Sequence, residues 1–381
     1  MKILIPIVFF TLLFSCKKKD NTPNPPPTKP IDYTIDNKLI SGNSTTSFSR
    51  EITNADFGSV QQINDGSYIL CGSAISPDKG GVVRDVVLLK TNSLGETIWM
   101  KRFSEDTDNQ GKYVIVTNDN NFVFSIYSSS TAINNSLLNT YSQLIKVDSN
   151  GILVWNKSFG NDLHFSSIKE TSDGGIVTCG SEISTSNRIL LKIDANGNEL
   201  WRQTYSGLIS LRSLNTTSDD GFVICGTIQD SINAIENEYI IRANATGNIV
   251  WTKTFKDTIN FYPIYPTSII ETTSGNIAMC GVFGHVRFIN SLGDELWNYK
   301  SSINTFYSID ITNDNKLIVT GFDHWTDNII EAHLLKLDES GNLIFQKSFQ
   351  GGDLNQIKST LDNGIVSVGG AWFLKTDENG N

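Results

Sequence analysis

An all-β fold, in which four-stranded antiparallel units repeat around a closed ring, is predicted for this 381-residue chain by three features of its sequence. One phrase returns six times: an apolar strand, a turn closing in Gly, an aromatic residue and an alternating tail. It reads LLKTNSLGETIWMKRF from residue 88, LIKVDSNGILVWNKSF from 144, LLKIDANGNELWRQTY from 190, IIRANATGNIVWTKTF from 240, VRFINSLGDELWNYK from 286 and LLKLDESGNLIFQKSF from 334. The marker aromatics Trp99, Trp155, Trp201, Trp251, Trp297 and Phe345 follow one another at gaps of 56, 46, 50, 46 and 48 residues. Four strand-like segments fill each period, and a period near fifty with four strands per unit marks a radial β array. Composition agrees, with only 18% charged residues and many Ser, Thr and Asn.

Within each unit the first strand opens on Ser, as at residues 167–171, 213–217, 268–272 and 308–312. The turn after it carries Asp173-Gly174, Asp220-Gly221 or Ser274-Gly275, residue types that supply the positive φ of short hairpins. The second strand ends at Gly72, Gly180, Gly226, Gly281 or Gly321, the third holds the Leu-Leu-Lys phrase, and the fourth holds the marker aromatic. A seventh unit starts at Gln356, turns at Asn363-Gly364 and stops at residues 378–381, just where its aromatic strand should begin. The missing strand has a candidate at the other end: FSREI at 48–52 copies the spacing of WNKSF at 155–159, with Phe48, Arg50 and Ile52 at matching places. The expectation is a seven-bladed β-propeller over residues 45–381, closed by an N-terminal strand in the last blade. Such closure removes exposed sheet edges.

The chain begins differently. Lys2 is followed by an almost unbroken apolar run at 3–14, too short to cross a bilayer and right for a secretory segment. That run ends in Leu13-Phe14-Ser15-Cys16, which resembles the lipobox of bacterial lipoproteins. The resemblance implies a signal peptide at 1–15, lipidation of Cys16 (palmitate among its acyl chains) and a lipid-anchored mature protein. Lys17 stands where lipoproteins kept at the inner membrane tend to carry Asp, which points to the outer membrane. CKKKD is also similar to lipoproteins that some Gram-negative bacteria carry to the cell surface, so either the periplasmic side or the surface is implied. Residues 21–30 hold five prolines and little apolar content, so 16–44 reads as a tether.

The repeats resemble bacterial propeller-repeat proteins of the quinoprotein-like group across residues 45–381. Their second-strand Gly is similar to that of kelch repeats, and their third-to-fourth turn to the Asp-box of sialidases. This fixes a fold and no chemistry, because propellers host unrelated activities. The leading expectation is a non-enzymatic scaffold on the outer membrane that binds a protein or a glycan. The alternative is a propeller-fold enzyme such as a glycoside hydrolase or a quinoprotein-type dehydrogenase. Neither a carboxylate pair nor GxSxG is evident in the sequence. No cofactor is implied.

A net charge of −10 has the wrong sign for a nucleic-acid partner. No CxxC or paired-His spacing supports a metal. The marker aromatics are expected to be packing wedges between blades. Lys90, Lys146, Lys192, Arg242, Arg287, Lys336 and Lys375 read as one equivalent position in all seven units, with stems lying along the blades and heads on neighbouring carbonyls or carboxylates. Cys71, Cys179, Cys225 and Cys280 precede the second-strand Gly in separate blades, too far apart for disulfides, and are expected to be free buried thiols. One register of the innermost strands puts Gln61, Ile115, Lys169, Asn215, Ile270, Asp310 and Lys358 on the channel. The loops before those strands are read as carrying Phe57, His164, Arg212, Tyr262, Tyr265 and Tyr307, with His324 also in a loop. Of these, His164, Arg212, Tyr262, Tyr265 and Tyr307 are the candidate ligand-binding residues, since Arg and aromatic side chains dominate binding surfaces.

Overall fold

The computed structural model describes residues 31–32, 37–41, 47–77, 83–103, 108–129, 140–160, 162–230, 236–256, 258–259, 262–324, 330–350 and 352–381. Cys16, the segment at 1–15 and most of the tether lie outside the described residues. The described chain is a seven-bladed propeller of four-stranded antiparallel blades, with no helix among the described residues. Blades 1 to 6 each use four consecutive strands. Blade 1 begins with Ala55–Gln62, blade 2 with Asp108–Val116, blade 3 with Leu163–Glu170, blade 4 with Leu208–Thr216, blade 5 with Pro266–Glu271 and blade 6 with Thr305–Ile311. These innermost strands surround the axis.

Blade 7 takes Gln356–Ser359, Ile365–Gly369 and Trp372–Thr376 from the C-terminus and Phe48–Ile52 from the N-terminus. Phe48 stands opposite Lys375 just as Trp99 stands opposite Lys90. Asn37–Ser41 continues this sheet beyond Phe48–Ile52, and Ile31–Asp32 adds to the outer edge of blade 1. Both stretches fall within 16–44, which composition reads as a tether. They join through backbone hydrogen bonds at a sheet edge, which no side-chain period announces.

Seven apolar clusters, one at each blade–blade junction, make up the core among the described residues. The cluster at the closing junction joins Phe48, Val366, Val368 and Phe373 of blade 7 to Phe57, Tyr68, Leu70 and Leu89 of blade 1. The buried second and third strands feed two clusters at once, since alternate residues face opposite sides of the blade: Leu70, Val87 and Leu89 enter the closing cluster, and Ile69, Cys71, Val86 and Leu88 enter the next.

The marker aromatics sit half-buried at the outer rim of the junctions, and their use follows from the turn between third and fourth strands. In that turn an Asp or Asn side chain accepts hydrogen bonds from the amides two and four residues on, as Asp148 does from Asn150 (2.9 Å) and Ile152 (2.8 Å). A Gly at positive φ completes it, and each such Gly lies on the preceding blade's aromatic ring. A Cβ on Gly247 (φ 77°) would fall 2.8 Å from Trp201, and one on Gly293 would fall 3.1 Å from Trp251. Trp155 Nε1 donates to Ala195 O (3.1 Å) and Trp297 Nε1 to Glu339 O (2.8 Å), so these indoles bridge blades as well as filling space.

Candidate functional site

The second-strand glycines determine where the site's side chains point. Opposite each, the innermost strand carries an extra residue, and the register shifts between Phe57 and Ser59, Phe165 and Ser167, Leu211 and Ser213, Pro266 and Ser268, and Phe306 and Ser308. The bulged strand pushes its carbonyl into the space a Cβ would need: a Cβ on Gly180 would lie 2.0 Å from His164 O, and one on Gly226 would lie 2.0 Å from Ser210 O. In blade 2 the glycine crosses the ladder, so Gly111 faces Ile126 and the bulge takes in both Lys112 and Tyr113. A bulge re-aims the extra side chain. Here Lys112, Tyr113, Ser166, Arg212 and Tyr307 turn towards the axis, where they line a cavity of about 520 Å3.

Further down the same strands Gln61, Ile115, Lys169, Ile270 and Lys358 line the cavity, as the channel register predicts. Asp310 lies beside them and pairs with Lys358 (3.2 Å), while Asn215 Oδ1 accepts from the Glu271 amide (3.4 Å). Among the described lining residues four cationic side chains therefore face the axis, and none is a carboxylate. The Lys358 charge and then burial bring the Lys169 amine down to about 7, with Asp310 opposing. Burial, followed by the Arg84 charge, lowers Lys112. Burial and the Lys112 charge lower His164 below the usual imidazole range. Burial raises the Tyr307 phenol.

Of the five candidate ligand-binding residues, His164, Arg212 and Tyr307 line the cavity. Tyr265 lies behind it, with the Arg212 guanidinium 5.3 Å from its ring centroid. Tyr262 belongs to a short hairpin, Thr258–Ile259 with Tyr262–Pro263, and its side chain is outside the described residues. His164, Arg212 and Tyr307 are on innermost strands, not in the loops before them, because the bulges lengthen those strands toward their N-terminal ends. His164 stands edge-on to Tyr127 (5.0 Å). Phe57 is also on a strand and is fully buried in the core, and His324 ends a strand. Lys112, Ser166 and Asn355, which sequence reasoning missed, also line it. The available signal was position: Ser166, Arg212 and Tyr307 each directly precede the Ser that opens the repeated first-strand phrase.

The third-strand cations do not belong to the site. Lys146 pairs with Asp119 (2.7 Å), Lys192 with Asp173 (2.6 Å), Lys336 with Asp314 (3.5 Å) and Lys375 with Asp362 (3.0 Å), while Arg242 pairs with Asp219. Each of these Asp residues lies in its own blade's first turn. The Lys192 ammonium holds the Asp173 carboxyl down to about 2, and the Thr217 hydroxyl, against burial and with Arg242, does so for Asp219. The expected seventh member, Arg287, does not hold the equivalent position. Phe288, not Arg287, stands opposite Trp297 in blade 5, and Ser274 replaces the turn Asp. Cation and carboxylate are thus missing together, leaving Phe288 stacked on Trp297 (5.0 Å). Arg287 faces the other side of the strand, against Glu238 (3.0 Å) and over Phe255 (4.0 Å).

Cys71, Cys179, Cys225 and Cys280 are free and buried, and burial pushes the Cys280 thiol up to about 12. No group of three or more His, Cys, Asp and Glu among the described residues is arranged to hold a metal ion.

No protein-family model and no curated protein matches the chain. Solved structures do. The WD40 β-propeller domain of Doa1 is similar at 12% identity with a TM-score of 0.54, over 90% of this chain and 97% of that one. Sqt1 of Chaetomium thermophilum is similar at 11% identity with a TM-score of 0.53, over 85% of this chain and 95% of that one. A protein of unknown function from Bacteroides caccae aligns at 16% identity with a TM-score of 0.46, over 62% of this chain and 87% of that one. For Doa1 and Sqt1 the likeness, at these identities, is one of fold alone.

Proposed function

We propose that this chain is a lipid-anchored propeller of the outer membrane, facing the periplasm or the cell surface, and that it works as a non-enzymatic scaffold binding a glycan or a protein at the mouth of its axial cavity. One observation carries the binding role: His164, Arg212 and Tyr307, from three different blades, converge with Lys112 on one cavity. Side chains drawn together from separate blades, rigidly held by bulged strands, form a preorganised recognition surface. Anchoring rests on the lipobox resemblance at Cys16. Among the described residues no helix is long and apolar enough to cross a membrane.

The second reading, a propeller-fold enzyme, is favoured by Lys169, whose amine near 7 suits proton transfer. It lacks a partner acid. Asp310 is held by Lys358 and accepts from the Ser359 amide (3.0 Å), and glycoside hydrolysis needs two working carboxyls.

The test is a glycan array probed with intact protein, Arg212→Ala and Tyr307→Ala. Each variant is expected to weaken the retained glycans by about tenfold or more (~1.4 kcal/mol) while melting within a few degrees of the parent. Unchanged binding by both variants, or turnover of a bound glycan, contradicts the scaffold reading.

A further inference from the structure

Elsewhere in the blades the protein supplies its half-buried and buried cations with partners, as the third-strand Lys–Asp pairs show. The axial cavity departs from this. Lys112 and Lys169 have neither an ion pair nor a hydrogen bond among the described residues, and Arg212 has only the Tyr265 ring beside it. The side chains of Gln61, Ser166 and Asn355 and the Tyr307 hydroxyl likewise carry no hydrogen bond to described residues. Seven polar groups contributed by six of the blades therefore face one space without a hydrogen bond or ion pair to described residues. Like charges gathered in a confined cavity repel one another, and an anion relieves that repulsion.

The shape of the donor set narrows the ligand. Lysine and arginine only donate hydrogen bonds, and Asp310, the carboxylate that acts on Lys169, is already held by Lys358. An acidic peptide would bring backbone N–H groups that only Gln61, Ser166, Asn355 and Tyr307, as acceptors, could meet, leaving the donors of those same residues to its carbonyls. A polyhydroxylated acid brings carboxylate oxygens for the cations and hydroxyls that both donate to and accept from Gln61, Ser166, Asn355 and Tyr307. At about 520 Å3 the space falls in the range of small-molecule sites.

The geometry points to an axial site for an acidic sugar, in which the carboxylates of an oligouronate are held by Lys112, Lys169 and Arg212, with Lys358 alongside in its pair with Asp310. This rests on the binding role proposed above and names its ligand class. Lys169 is the pH-sensitive member. The charged groups facing it are Lys358 of blade 7, Asp310 of blade 6, Lys112 of blade 2 and Arg212 of blade 4, with His164 on its own strand. A bound carboxylate favours the protonated amine, so affinity is highest below the Lys169 pKa and declines as pH rises through about 7.

Titration calorimetry of the intact protein tests this, with trigalacturonate as probe and an uncharged galactose trisaccharide, inorganic phosphate and triglutamate as comparators. Trigalacturonate is expected to bind, to weaken with added salt, and to lose up to about tenfold in affinity between pH 6 and 8. Lys169→Met and Arg212→Met are each expected to cost at least about tenfold. Lys169→Met should keep or raise the melting temperature, since it removes a repelled charge; Arg212→Lys should restore part of the binding. Three outcomes overturn the inference: equal affinity for the uncharged trisaccharide, tighter binding of triglutamate or phosphate than of trigalacturonate, or no binding of trigalacturonate at all. Salt-independent binding of the uncharged trisaccharide that Arg212→Ala abolishes would sink the acidic ligand and leave the scaffold standing.

Discussion

Phe48→Ala is expected to lower the stability of the protein by about 3–5 kcal/mol, the cost of emptying a buried aromatic site. Phe48 is the outer-strand aromatic of blade 7 and is 4% exposed. It packs edge-on against Phe373 (4.9 Å) of its own blade and Tyr68 (6.3 Å) of blade 1. Gly95 of blade 1 presses on its ring, where a Cβ would fall 2.6 Å away. One side chain thus seals the junction between the two ends of the chain. Chemical denaturation followed by tryptophan fluorescence measures the loss, and a midpoint unchanged from the parent would mean that Phe48 does not close the ring. The equivalent markers in blades 1 to 6 are more exposed on their outer faces, so truncating any one of them should cost less.

The second large effect is expected at Gly321, where Gly321→Ala should destabilise by about 3 kcal/mol or more, at the upper end for overpacking. The added Cβ would meet Thr305 O at 1.9 Å and Phe306 Cα at 2.9 Å. Both are backbone atoms of the bulged strand, so no side chain can swing aside. The strand must straighten or move, and Tyr307, the bulged residue, must move with it. Thermal unfolding reports the first consequence and loss of ligand capture the second. A variant as stable as the parent would show that the glycine is not required by the bulge.

Blade number and closure were legible because they depend on repetition. Six Gly-then-aromatic phrases and one displaced FSREI strand are side-chain patterns, and a propeller needs one packing aromatic per blade. The innermost strands were less legible. A bulge inserts one residue without changing composition, so His164, Arg212 and Tyr307 looked like loop residues although the structure puts them on strands. Lys112 was missed for a related reason: blade 2 moves its glycine from the second strand to Gly111, which hides the position opposite. Arg287 was misaligned because a cation one place from Phe288 fits a Lys/Arg pattern unless residues are counted back from Gly293. Residues 37–41 pair at a sheet edge, and backbone pairing leaves no trace in hydropathy.

The most direct test of the closed ring is native-state amide hydrogen exchange. Residues 48–52 should exchange as slowly as 372–376, their partners in blade 7, because opening either strand breaks the same junction. Exchange of 48–52 at the rate of an unstructured segment, with 372–376 still protected, would mean that the N-terminal strand does not complete the last blade.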